Sequence, residues 1–150
     1  TEDKSYQVER TAVMLLYNLS PAKGVEVARK LIPVSKDKQV GSYIKILARE
    51  NDPSVKDHCQ RLLKKDSWSG RIGAVEALSL LVQQHASEEA LEMLKTAAVE
   101  QEPWWMRMMV ARAMRKIPIN ESLKSFYMER AQVEEEPQLK KSWERIYQAK

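Results

Sequence analysis

The chain is 150 residues long, an ordinary single-domain length, and is expected to form one domain over 1–150. Its 43% hydrophobic and 31% charged residues exclude a disordered chain, and 25 basic against 21 acidic residues give a net charge of +4 without the clustered basic run of a dedicated nucleic-acid binder. The single cysteine, Cys59, excludes an intramolecular disulfide and a cysteine-based metal site, and no apolar run approaches the roughly 20 residues that cross a bilayer.

No signal-peptide pattern opens the sequence, so a cytoplasmic protein is expected. A first residue Thr1 rather than Met leads to the expectation of a processed protein or a piece of a longer one. Only four Gly and six Pro interrupt a composition rich in Leu, Ala, Glu, Lys, Met and Arg, which favours helix throughout.

Residues 6–19 set Val8, Ala12, Leu15, Leu16 and Leu19 at helical spacing. Ser20 and Pro21 read as an N-cap with proline at the first helical position, opening a helix through Val25, Ala28 and Leu31 that stops near Pro33. The next helix, 37–49, carries Val40, Tyr43, Ile44 and Leu47. Asn51, Asp52 and Pro53 repeat the cap-and-proline device before a helix with Val55, Cys59, Leu62 and Leu63. Asp66 and Ser67 cap a longer helix to about Gln84, and Ser87 opens another with Ala90, Leu91, Leu94, Ala97 and Ala98. Helices at 103–117, from Asn120 to about Val133, and from Pro137 onward complete a set of nine.

The starts recur. Pro21, Pro53, Ser87 and Asn120 are 32, 34 and 33 residues apart, and Ser67, Pro103 and Pro137 are 36 and 34 apart. A shift of 36 lays Trp68 on Trp104, Arg71 on Arg107, Ala77 on Ala113 and Leu78 on Met114. Such a period predicts stacked helix pairs, each burying its apolar face against the next. The capped proline or polar start, an aromatic residue, then Arg-x-x-Ala or Val with Ala and Leu or Met beyond, resembles the second helix of HEAT-like repeats over 66–81 and 102–117. At 136–147 Lys141 stands where the Arg sits and the following Ala is lost. The resemblance implies an all-α right-handed superhelix of about four to five helix pairs, its second helices lining the concave side.

Chemistry of the catalytic kind is not apparent. His58 and His85 lie 27 residues apart on different helices, and Cys59 falls on an apolar stripe, where a buried inert thiol is expected. Glu88–Glu89 and the run Glu134, Glu135, Glu136 read as solvated charges at helix ends. There is no glycine-rich phosphate loop and no metalloprotease or hydrolase motif. No catalytic residue, metal ligand or cofactor is assigned, and an enzyme is not expected.

The helix at 103–117 has two faces. Met106, Met109, Val110, Ala113 and Ile117 form a core face, and Trp104, Met108, Arg112 and Arg115 lie opposite. The matching stripe is Trp68, Ile72, Glu76 and Ser79 in the helix capped by Asp66 and Ser67, and Gln138, Ser142, Ile146 and Ala149 in the last. Trp105 and Trp143 read as core packing. If second helices line a concave groove, Trp68, Ile72, Glu76, Trp104, Met108, Arg112 and Arg115 form a ridge rich in the residue types of binding hot spots. The expected partner is a protein segment, a peptide or helix, with acidic residues facing the arginines. The alternative is nucleic acid held by the same Trp and Arg residues together with Arg107 and Lys116, as in HEAT-like DNA glycosylases. A HEAT-like lyase that attaches a chromophore is the more remote alternative.

Overall fold

Short polar side chains cap three of the helix starts. Ser67 Oγ accepts the Gly70 N–H at 3.2 Å, Ser87 Oγ accepts the Ala90 N–H at 3.2 Å, and Asn120 Oδ1 accepts the Leu123 N–H at 2.8 Å, each satisfying a donor that the first helical turn leaves free. The computed structural model of the chain describes residues 2–149. Thr1, on which the expectation of a processed or excised chain rests, lies outside the described residues. Among those residues every element is helical: α1 (Glu2–Leu19), α2 (Pro21–Leu31) with a 3₁₀ turn at Ile32–Val34, α3 (Asp37–Arg49), α4 (Val55–Leu63), α5 (Trp68–His85), α6 (Glu88–Glu100), α7 (Trp104–Met114), α8 (Glu121–Val133) and α9 (Pro137–Gln148). None is long and apolar enough to cross a membrane.

Three boundaries differ from expectation, the first being the start of α1 at Glu2 rather than near Tyr6. Helix α4 begins two residues after Pro53, because the Asp52 carboxylate is used in the turn: its Oδ1 accepts the Ser54 N–H at 2.9 Å, and Arg29 Nε donates to its Oδ2 at 2.9 Å. Helix α7 ends at Met114 rather than at Ile117. The Lys116 and Ile117 amides fold back on Ala113 and Met114 in tight turns, and Pro118 disfavours helical backbone at the residue before it.

Helices α1, α3, α5, α7 and α9 pack in series, each against the next, while α2, α4 and α6 each lie against their sequence neighbours on both sides. Helix α8 packs on α9. One continuous core runs between these elements, with Tyr43, Leu47, Leu62, Leu78, Leu94, Tyr127 and Trp143 all at 1% exposure or less. Burying each such leucine contributes about 1.5–3 kcal/mol. Trp143 is core, as its spacing predicts, stacked on Tyr127 at 5.9 Å and meeting Phe126 edge-on at 6.2 Å.

The most extensive helix contact, α3 on α5, is made backbone to backbone. A Cβ on Gly73 would lie 2.4 Å from Gly41 Cα, whereas one on Gly41 would lie 3.3 Å from Gly73 Cα. The first distance cannot be met without separating the helices, and the second asks for a shift of tenths of an ångström. Alanine gains about 1 kcal/mol of helix propensity at either position, which overpacking of about 1–3 kcal/mol outweighs only where the clash is with backbone. Gly73→Ala is therefore expected to lower the free energy of unfolding by about 2 kcal/mol and Gly41→Ala to change it by less than about 1 kcal/mol, as measured by urea denaturation.

Candidate functional site

Six of the seven ridge residues divide between two grooves of the α1–α3–α5–α7–α9 row, and Trp104 lies in neither. Trp68, Ile72 and Glu76 of α5 line a shallow groove of about 260 Å³ together with Arg10 of α1 and Lys38, Ser42 and Lys45 of α3. Gly41 and Gly73, both buried, form part of its floor. Trp68 is 57% exposed. Glu76 is held by Lys45, Nζ to Oε2 at 2.6 Å, and so enters the groove already paired.

The second groove, about 420 Å³, lies between α7 and α9. Met108, Arg112 and Arg115 reach it from α7, and Gln138, Ser142 and Ile146 from α9. These are the stripe positions of the two helices, brought face to face. The Ser142 hydroxyl lies 3.1 Å from Met108 Sδ and closes the base of the groove, with Ile146 buried beneath it at 7% exposure. Arg112 and Arg115 are exposed and form no ion pair among the described residues. Lys141 and Arg145 add two more cations from α9, and no carboxylate lines the groove. Four like charges around one concavity repel each other, and an anion entering it relieves that repulsion.

Arg145 lies beside the α9 stripe rather than on it. Its signal is that it follows Lys141 by one helical turn and so shares its face. Lys141 was noted only as the counterpart of Arg71 and Arg107, and the three behave differently. Arg71 Nη1 donates to the Glu102 carbonyl at 2.7 Å; Arg107 donates to the Gln101 carbonyl at 3.1 Å and to Glu102 Oε1 at 2.7 Å. Both arginines therefore clamp the turn ahead of α7, which removes Arg107 from the cations a ligand could meet. Lys141 has no such acceptor among the described residues and stays exposed.

Trp104 lines neither groove. It is half-buried against the core, and the aromatic pair on the ridge is Trp68 with Trp105, edge to face at 6.2 Å and 81°. The expectation that Trp105 is core packing thus gives way to a half-buried ring on the row's face. Both rings stand in the first turn of their helices, where the Cα–Cβ bond leans toward the N-terminus and carries them together. Ser79 also departs from the exposed stripe: it is buried, and its hydroxyl donates to the Ala113 carbonyl of α7 at 3.0 Å.

The remaining chemistry is structural. Cys59 is buried, its thiol 3.5 Å from the Ala74 carbonyl, and burial pushes it up to about 12, so it carries no thiolate near neutrality. The His85 ring lies 2.9 Å from the Arg49 carbonyl, and His58 pairs with Arg61 on its own helix. Glu134 was expected as a solvated helix-end charge and is instead buried, with 2% side-chain exposure. Arg107 reaches it with two nitrogens, at 2.9 and 3.3 Å, and Arg130 with one at 3.3 Å. Compared with known proteins, the chain matches no protein-family model, no curated protein and no solved structure.

Burial alone pushes the Glu134 carboxyl up, but the Arg107 guanidinium, the Glu136 N–H and the Arg130 charge outweigh it and hold it below the usual 4.5. A carboxyl depressed by folding adds stability that is complete above its unfolded value and is lost as pH falls through its folded value. Glu134→Gln is expected to cost about 3 kcal/mol at pH 7, the scale of unpairing a buried charge. That penalty should shrink at pH 3, as compared by urea denaturation at the two pH values; an equal penalty at both would contradict the assignment.

Proposed function

We propose that the chain is a protein-interaction module that binds an acidic segment of a partner protein along the face of α5, α7 and α9. On this reading the row is the inner layer of a short right-handed α-α superhelix of HEAT-like type, working in the cytoplasm. Serial packing of alternate helices and the shared turn clamp of Arg71 and Arg107 support the repeat. The observation that carries the binding role is the α7–α9 groove, where Arg112, Arg115, Lys141 and Arg145 surround an apolar base of Met108 and Ile146 without a carboxylate. Carboxylates of a peptide would meet the guanidinium forks, and an aliphatic side chain would cover the base.

The exposed Trp68 ring beside basic residues favours a second reading, nucleic acid held by stacking and phosphate contacts. The two separate in one experiment. Fluorescence anisotropy with a glutamate-rich peptide carrying one central leucine is expected to show binding that Arg112→Glu with Arg145→Glu weakens at least about tenfold, some 1.4 kcal/mol, at unchanged melting temperature. Short duplex and single-stranded DNA titrated under the same conditions should bind weakly. Strong DNA binding with a steep salt dependence, and none by the peptide, would support the second reading instead.

A further inference from the structure

Two grooves along the row are lined by exposed cations. The α7–α9 groove holds one set, and the groove over α3 and α5 holds the other, in Arg10 and Lys38, both exposed and without an ion pair among the described residues. Between the two sets stand the exposed Trp68 with Trp105, and half-buried Ile72. Glu76, 44% exposed at its side chain, also stands on α5 within this intervening span. Its charge is balanced there by Lys45, Nζ to Oε2 at 2.6 Å, so the span between the two sets carries no unpaired cation from Lys45. The pattern is therefore cationic, apolar, cationic.

Resting on the reading of the row as a peptide-binding face, we propose that its ligand is a bipartite acidic segment. One acidic cluster sits in the α7–α9 groove, a second sits at Arg10 and Lys38, and a large apolar side chain between them packs on Trp68 and Trp105. The helix packing sets the spacing. Arg10 and Lys38 stand on α1 and α3 and the other cations on α7 and α9, so the two sets lie three helix intervals apart along the row. At about 8–10 Å per interval that is roughly 24–30 Å. An extended chain advances about 3.3 Å per residue, so the two acidic clusters are about seven to nine residues apart. A ligand of that form gains by effective concentration, since the second cluster binds as an intramolecular event once the first is seated.

The test uses synthetic peptides carrying two Glu-Glu pairs around a central Trp, with about three, eight or fourteen residues between the pairs, and peptides carrying either pair alone. Fluorescence anisotropy against the whole chain is expected to give an affinity at least tenfold above either half-peptide, and greatest at the middle spacing. Arg10→Glu with Lys38→Glu, and separately Arg112→Glu with Arg145→Glu, should each reduce the bipartite peptide to half-peptide affinity. All four side chains are exposed, and the corresponding glutamine variants, checked by thermal melting, should show the same ordering with smaller losses. Equal affinity for half and bipartite peptides, or no response to charge reversal at Arg10 and Lys38, overturns the two-groove inference and leaves the single-groove reading standing. Failure of every peptide to bind overturns both.

Discussion

The approach of α3 to α5 at Gly41 and Gly73 is the constraint from which the rest of the row takes its geometry. With no side chain at either position the helix backbones touch, and α5 is held where its Trp68–Ile72–Glu76 stripe borders a groove floored by those same glycines. From α5 the Ser79 hydroxyl reaches the Ala113 carbonyl of α7, and from α7 the Met108 thioether meets Ser142 of α9. Each contact is small. In series they set the row on which both grooves depend.

Electrostatics then divides the cations into two populations. Arg71 and Arg107 are consumed in the turn at Gln101 and Glu102, and Arg107 and Arg130 neutralise the buried Glu134. A buried carboxylate is tolerable only with such partners, because desolvation would otherwise drive it to its neutral form. Arg112, Arg115, Lys141 and Arg145 have no comparable task. Leaving four cations around one concavity costs self-repulsion without stabilising the fold. The binding proposal rests on that contrast and on nothing resembling catalytic machinery.

Much of this was legible in the sequence, and the failures share causes. The nine helices among the described residues follow from periodicity, and several also from Ser, Asn or Pro at their starts, because these act within one turn. The meeting of the α7 and α9 stripes fits the proposed repeat, which would carry equivalent faces into register. Glu134 was misread because its partner Arg107 lies 27 residues away, and a charge run shows nothing of what folds against it. Trp105 and Ser79 were misplaced for a related reason: helical spacing assigns a face, but the neighbouring helix decides how much of that face it covers. Arg145 was overlooked because a narrow stripe excludes its neighbours, while the groove is wider than one stripe.

The central claim, that the α7–α9 groove is the ligand-bearing surface, is tested most directly by mapping amide chemical shifts of the isotope-labelled chain as a glutamate-rich peptide is added. The account predicts saturable shifts concentrated at Met108, Arg112, Arg115 and residues 138–146, with secondary changes at Trp68 and Lys38. Shifts confined to the groove between α4 and α6, lined by Leu63, Met93 and Glu92, or spread evenly over the surface, would contradict it.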